Sequence, residues 1–156
     1  MPSSRDVLGF KPFLGWSLPP PGSLKLNVDA AVDTFSRLIR IGAIIRDGIG
    51  GVVAALFTSY MSRFGAFLAE CMAVREGLKF AREEGHMVNL VECDSLNIIT
   101  AIHSRCSLGL ESSIINDIVV NFSWLDNVSC YHVPRTGNKA AHSLARFALC
   151  SMSTMV

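Results

Sequence analysis

The sequence predicts a single α/β domain in which a three-stranded β-meander is followed by helices and strands in alternation. Half of the 156 residues are hydrophobic, which is enough for one substantial core in a chain of this length. Apolar residues first alternate at every second position, and from Ala66 they recur at three- and four-residue steps. Together these periods predict the element order β-β-β-α-β-α-α-β-α.

The first 22 residues are predicted to form a flexible, proline-rich segment that precedes a folded domain at residues 23–152. Three consecutive prolines, Pro19 to Pro21, favour an extended conformation and exclude a helix interior. The first clearly alternating run begins only after Gly22. We therefore expect the folded core to start near Ser23.

Three strand-like runs open the predicted domain. In the first, LKLNVDAAV, apolar side chains alternate with Lys25, Asn27 and Asp29, and Asp29 falls near the predicted end of the strand. The runs LIRIGAIIRD and GVVAALFTS follow, and the GIG between them is a hairpin signal. The three runs predict an antiparallel meander.

A helix is predicted from Ala66 onwards, and Glu70 falls within its apolar stripe. The run MVNLVEC then indicates a short buried strand that ends at Asp94, after which Ser95 can cap a helix. The remaining predicted elements are helices at 95–103 and 112–124, a strand at 127–133 and a final helix at 138–150.

Composition limits the functional classes. Five scattered cysteines without CxxC spacing argue against a disulfide framework and a structural zinc site, and they are interpreted as core residues in a reducing compartment. A formal net charge of +1 gives no strong electrostatic footprint for nucleic acid and does not exclude such a partner. The sequence shows no membrane span and no signal peptide, so a soluble intracellular protein is expected, with nuclear and cytoplasmic locations both open.

Three acidic residues occupy positions that favour a binding site. Asp29 and Asp94 are each predicted at a strand end, where α/β sheets form crevices. Glu70 lies on a core-facing stripe, and a buried carboxylate needs a cationic partner, a proton or a metal. If the three converge, they form an oxygen-ligand site for a hard divalent cation such as Mg²⁺ or Mn²⁺. Taken singly, each has an ordinary alternative: a helix start for Asp94, a turn for Asp29 and a surface ion pair for Glu70.

With the final segment, these residues resemble type 1 ribonuclease H, and most closely its plant branch derived from retroelement reverse transcriptases. The resemblance spans roughly residues 16–149. It rests on five motifs in the family's order: LKLNVDAA, GAIIRDGIGGVV, AECMAVREGL, VECDS and VPRTGNKAAHSLARFA. It implies a ribonuclease H-like fold, with a five-stranded mixed sheet of strand order 3-2-1-4-5 and helices on both faces. It also implies an endonuclease that hydrolyses the RNA strand of an RNA/DNA hybrid.

The resemblance also implies the catalytic residues. The family holds two Mg²⁺ ions with four acidic side chains, and Asp29, Glu70 and Asp94 match the first three positions, with Mn²⁺ as the alternative ion. His142 occupies the fourth position, where the family has a carboxylate. It is predicted to be a metal ligand or a proton carrier, and it also fits a polar residue on the exposed side of the last helix. Because imidazole suits borderline ions better than Mg²⁺, weak activity is expected.

Arg135, Asn138 and Lys139 are predicted to contact nucleic acid, because they surround the turn before the last helix. In other respects the chain departs from the family. The histidine-bearing loop is shortened to PRTGNK, the basic helix between the two middle helices is missing, and minor-groove-reading polar residues are replaced by Ala66 and Phe67. These departures predict weaker hybrid binding.

Two further functions therefore stay open beside the endonuclease. One is a catalytically degenerate ribonuclease H-like module that binds nucleic acid or a protein partner, and the other is a structural α/β domain with its acids in ion pairs. The expected partner is an RNA/DNA hybrid or another nucleic acid, with no membrane association and a monomeric chain. The proline-rich N-terminus is interpreted as a remnant linker to upstream domains of a polyprotein.

Overall fold

The computed structural model describes residues 16–61, 65–104, 111–124 and 128–151. These residues form five strands, four α-helices and one 3-10 turn, and the predicted order of elements is confirmed. The strands are β1 (Lys25–Asp33), β2 (Leu38–Arg46), β3 (Val52–Met61), β4 (Leu90–Cys93) and β5 (Ser129–His132). The helices are α1 (Ala66–Glu83), α2 (Leu96–Ser104), α3 (Glu111–Trp124) and α4 (Lys139–Ser151), and the 3-10 turn Arg135–Gly137 precedes α4.

The strands form one mixed sheet in the order β3-β2-β1-β4-β5, as predicted. The pairs β1–β2 and β2–β3 are antiparallel, whereas β1–β4 and β4–β5 are parallel. The glycine-rich hairpin between β2 and β3 is closed by Asp47, whose Oδ1 accepts hydrogen bonds from the amides of Ile49 and Gly51. Gly50 adopts a left-handed φ of 85° in this turn, a conformation that glycine tolerates without strain.

Helices cover both faces of the sheet, and a glycine allows close approach on each side. Gly77 of α1 sits against Val28, where an added Cβ would lie 2.6 Å from the valine Cγ1. Gly42 of β2 faces α4, where an added Cβ would overlap the Ala141 carbonyl oxygen. The main core lies between the sheet and α1 to α3. Its largest fully buried side chains include Leu26, Ile41, Leu78, Ile98, Val91 and Ile118.

The polar face of β1 is buried as well. Lys25, Asn27 and Asp29 are each no more than 2% exposed. Part of their cover is the segment that begins at Trp16, whose indole Nε1 donates a hydrogen bond of 2.9 Å to Asn27 Oδ1. The Lys25 ammonium donates to the carbonyl oxygen of Ser17 at 2.6 Å.

The folded core is predicted to start near Ser23, yet the described residues before it, from Trp16 onwards, pack against the sheet. The three prolines are not helical, as expected, but the segment is packed against the sheet, with the Trp16 ring 3.8 Å from the Arg46 guanidinium and Pro19 buried. Proline content predicts an extended backbone and does not report whether that backbone is docked. The predicted flexibility of residues 1–15 lies outside the described residues.

Other expectations differ in detail. Strand β1 continues to Asp33, so Asp29 lies at its middle and not near its end. Cys71, Cys93 and Cys130 are buried, as expected, and form no disulfide within the described residues, whereas Cys106 and the Cys150 side chain lie outside the described part. The proposed loss of a basic helix concerns residues 105–110, which are also not described. No helix in the described residues is both long and apolar enough to cross a membrane.

Candidate active site

The three acids singled out in the sequence come together at one point of the sheet. Asp29, Glu70 and Asp94 each offer a carboxylate oxygen, and the three oxygens lie within 4.8 Å of one another. Strand β1, helix α1 and the segment after β4 supply one acid each. The predicted convergence is therefore present in the structure.

The register of two parallel strands explains why the two aspartates meet. Strands β1 and β4 pair in parallel, and Asn27 opposite Glu92 is the last pair. Two residues further along the same register, Asp29 stands beside Asp94, just past the end of β4. Because β-strand side chains alternate, both aspartates point to the same side as Asn27 and Glu92. The end of β4 leaves a crevice next to β1, as expected where a parallel strand stops.

Glu70 reaches this crevice from the second turn of α1 and is the most perturbed acid of the cluster. Burial, first, and then the charges of Asp29 and Asp94 together raise the pKa of its carboxyl to about 9, whereas a backbone hydrogen bond with Ala30 opposes them. Its Oε2 is buried without a hydrogen-bond partner. A carboxylate in this position needs a proton or a cation.

Asp94 is balanced by a basic neighbour. Burial and the charge of Asp29 raise the pKa of the Asp94 carboxyl, and the guanidinium of Arg135 lowers it. The two side chains form an ion pair with Arg135 Nε 3.6 Å from Asp94 Oδ2. Arg135 is 86% exposed, so it links the edge of the acidic cluster to solvent.

The cluster fits a divalent metal ion. Three hard carboxylate oxygens at short mutual distance are the ligand type that Mg²⁺ and Mn²⁺ prefer. The unpaired Oε2 of Glu70 and the mutual repulsion of the acids are both relieved when a cation is bound. Asp29, Glu70 and Asp94 are therefore the residues that would hold the ion.

His142 lies beside the cluster and contacts one of its acids. Its Nδ1 is 2.7 Å from Oδ2 of Asp29, and its side chain is 41% exposed. The backbone N–H of His142 donates to the carbonyl of Asn138 in the first turn of α4. His142 is thus at the site, as predicted, and its observed partner is the carboxylate of Asp29.

The three predicted nucleic-acid contacts divide into two kinds. Arg135 and Lys139 are exposed beside the site. Asn138, in contrast, is fully buried: its Nδ2 donates to the Val28 carbonyl, and its Oδ1 accepts from Asn27 Nδ2. The prediction that the Asn138 side chain contacts nucleic acid is therefore corrected, because that side chain is occupied in tying α4 to β1.

Asn27 is a residue of the site region that the sequence interpretation missed. Its side chain bonds Trp16, Glu92 and Asn138 at once. The alternation in LKLNVDAAV places Asn27 on the same face as Asp29, which was an available signal. The burial of that face depends on Trp16 and α4, which are distant in sequence and leave no local pattern.

Strand order and helix placement define a ribonuclease H-like α/β domain with an acidic cluster. A family model described as reverse transcriptase-like matches residues 27–148. The chain belongs to the reverse transcriptase-like family. The resemblance to ribonuclease H is thereby confirmed, and the plant branch stays a prediction. No curated protein matches the sequence significantly.

Three solved structures illustrate the likeness of fold. Ribonuclease H1 from Halobacterium salinarum shares 23% identity over 82% of this chain and 98% of its own, with a TM-score of 0.74. LC11-RNase H1 in complex with an RNA/DNA hybrid, a protein isolated from compost by a metagenomic approach, shares 18% identity over 81% of this chain and 99% of its own, with a TM-score of 0.71. The foamy viral protease-reverse transcriptase in complex with an RNA/DNA hybrid shares 15% identity over 83% of this chain and 20% of its own, with a TM-score of 0.63.

Proposed function

We propose that this protein is a metal-dependent endonuclease that hydrolyses the RNA strand of RNA/DNA hybrids. The observation that carries the proposal is the acidic cluster, in which a half-buried Glu70 with a buried, unpaired Oε2 meets Asp29 and Asp94 at the end of β4. Burial of three mutually repelling carboxylates lowers stability unless a cation offsets it, and such an arrangement is typical of a functional site. Membership of the family and the fold of the neighbours support the same function.

In this proposal the acids bind metal, and His142 orients one of them. Asp29, Glu70 and Asp94 would together hold the metal ions. When bound, two divalent ions supply an activated water and stabilise the negative charge on the leaving 3′-oxygen. His142, bonded to Asp29 and partly exposed, would orient that carboxylate and can accept or release a proton at its ring edge.

The hybrid is the proposed substrate because two structural neighbours were solved in complex with RNA/DNA hybrids. Arg135, which pairs with Asp94, and the exposed Lys139 at the start of α4 would contact backbone phosphates. A hybrid differs from duplex DNA by its 2′-hydroxyl groups and its groove shape, which a protein reads from the minor groove. We therefore expect preference for the hybrid, with affinity falling as salt rises.

A cleavage assay tests the proposal. A labelled RNA/DNA hybrid, the matching RNA duplex and the matching DNA duplex are incubated with the protein and Mg²⁺ or Mn²⁺. The expected result is cleavage of the RNA strand of the hybrid alone, lost in Asp29→Asn and in EDTA. Arg82→Gln, on the far side of the sheet, is the matched control and should cleave like the wild type. Absence of any cleavage with either ion would contradict the proposal.

A second function is favoured by one observation. His142 stands where the family has a carboxylate, and it bonds Asp29, so the site has one negative charge fewer than the family pattern. A module that binds a hybrid without cutting it is the function that this loss favours. Hybrid binding that is salt-dependent and selective over DNA, without cleavage in either metal, is the result that would select it.

A further inference from the structure

We propose that a groove beside the acidic cluster binds a phosphate group of the nucleic-acid strand through Arg40 and Arg146. This inference rests on the proposed function for the identity of the anion, and on the structure for the position of the two arginines. The groove would be a binding subsite beside the acids and would take no part in the chemistry.

The groove lies on the α4 side of the sheet and is lined by residues of β1, β2 and α4. Its volume is about 380 Å³, and its walls include Asp33, Thr34, Arg40, His142 and Arg146. Residues Asp29 and Asp33 point to the same face of β1, so the groove continues from the acidic cluster along that strand. His142 forms the shared wall, since it lines the groove and also bonds Asp29.

Arg40 is a buried cation whose N–H groups are not all hydrogen-bonded to the described protein groups. It is 4% exposed, and its Nε is buried without a hydrogen-bond partner. Its nearest acid is Asp33, with 3.7 Å between Arg40 Nη2 and Asp33 Oδ2, which is too long for a good hydrogen bond. A buried guanidinium is stabilised by bidentate contact with an anion, and phosphate has the matching geometry.

Asp33 has another role, which limits what it can give to Arg40. Its Oδ1 accepts hydrogen bonds from the amides of Phe35 and Ser36 and so closes the turn between β1 and β2. Hydrogen bonds with Ser36 lower the pKa of Asp33, and the charge of Arg40 contributes least among the causes. The pair is therefore a loose one.

Arg146 supplies the second cation from the opposite wall. It follows His142 by one helical turn of α4, is exposed, and has no ionic partner among the residues that the structure describes. The groove thus carries two arginines against the single carboxylate of Asp33. That surplus of positive charge favours an anion, and its position next to Asp29 suits a phosphate neighbouring the one at the acids.

Hybrid binding measured in EDTA, where the substrate stays intact, tests the subsite. The variants are Arg40→Met, which keeps the length of the buried stem, Arg146→Gln, which changes an exposed residue, and the double variant. Arg82→Gln on α1 is the control with the same change of charge. We expect each single groove variant to weaken binding of a fluorescein-labelled hybrid about tenfold. Each should also lower the slope of log binding constant against log salt concentration by about one. In Mn²⁺ assays KM should rise while kcat changes less than about twofold, since contact with a phosphate that does not react is uniform binding.

The outcomes separate this proposal from the proposed function. Binding by Arg40→Met and Arg146→Gln that equals Arg82→Gln overturns the subsite, and so does absence of hybrid binding by the wild type. Wild-type binding that depends on the arginines, without cleavage, supports the subsite and contradicts the nuclease. Inorganic phosphate is the second probe: a rise in Tm that requires Arg146, together with hybrid binding that does not, overturns the nucleic-acid assignment in favour of free phosphate.

Discussion

Nδ1 of His142 lies 2.7 Å from Oδ2 of Asp29, which joins the last helix to the first strand across 113 positions of the chain. The imidazole therefore contacts one acid of the cluster directly. A residue that bonds a metal-ligating carboxylate sets its orientation, and loss of such a partner typically costs about 10- to 100-fold in metal affinity or activity.

Substitution of His142 should show whether its side chain takes part in the site or is only a polar surface residue. His142→Ala is expected to reduce Mn²⁺-dependent cleavage about tenfold with little change in Tm, because the side chain is partly exposed. His142→Asp should restore a hard oxygen and increase Mg²⁺-dependent cleavage relative to the wild type. Cleavage rates in each metal, with Ser143→Ala on the adjacent exposed position as control, measure both effects. Equal rates for all variants would contradict a role in the site.

The pKa of Glu70 predicts a pH dependence of stability in the absence of metal. The unfolded chain releases this proton near pH 4.5, whereas the folded protein keeps it until about pH 9. Between these values the folded state binds more protons, so the free energy of unfolding should fall as pH rises, by at most about 1.4 kcal/mol per pH unit. Urea unfolding at a series of pH values in EDTA measures the slope. Glu70→Gln should flatten it, and a slope unchanged in Glu70→Gln would contradict the assignment.

Divalent ions should offset the loss of stability that the deprotonated acidic cluster causes. Mg²⁺ or Mn²⁺ replaces the proton on the acidic cluster, so the Tm should rise with ion concentration, and more strongly at pH 8 than at pH 5. Asp29→Asn should abolish most of the rise. The matched control is Asp117→Asn, an exposed aspartate on α3 that is not part of the cluster. A wild-type Tm that is indifferent to both ions would count against a formed metal site.

Trp16 should contribute to the stability of the domain, although it lies in the segment predicted to be flexible. Its ring contacts Arg46, and its indole bonds the buried Asn27, so Trp16→Ala is expected to lower the free energy of unfolding by about 2 kcal/mol. Leu18→Ala, in the same segment but 56% exposed, should cost far less. Urea denaturation compares the two. A loss of unfolding free energy in Trp16→Ala as small as that in Leu18→Ala would show that Trp16 lies outside the cooperatively folded unit.

Gly42 should be intolerant of any side chain, because an added Cβ would overlap the backbone of α4 at Ala141. Gly42→Ala is expected to cost at least about 1–3 kcal/mol and to lower activity, since displacement of α4 moves His142 away from Asp29. Gly65→Ala is the control, because its Cβ would meet nothing within 4 Å and its φ of −79° suits alanine. Unfolding free energies and cleavage rates of both variants check the prediction.

The acidic cluster was predictable because its signals are local. Alternation placed Asp29 on a strand, a 3.6-residue period placed Glu70 on an apolar stripe, and a short buried run ended at Asp94. In a sheet with parallel strands, acids at such positions have few other places to go. The resemblance to ribonuclease H added the order of the strands, which periodicity alone does not give.

The burial of the polar face of β1, which carries Asn27 and Asp29, was not predictable in the same way. Asn138 looks like a polar helix-start residue in the sequence, and only the packing of α4 on β1 buries it. Arg40 lies in a strand run whose pattern does not predict burial of the charge, yet it is only 4% exposed. Contacts between distant segments decide these positions, and no local period encodes them.

The buried ion pair between Lys25 and Glu92 favours one register of β4 against β1. The two charges lie 3.4 Å apart on neighbouring strands, with almost no access to water. If β4 slipped by one residue along β1, Glu92 would turn to the opposite face and leave Lys25 as an uncompensated charge in the interior. The same slip would carry Asp94 away from Asp29. Misalignment is thus penalised by several kcal/mol through an ion pair that lies outside the acidic cluster, and the same register places Asp94 beside Asp29.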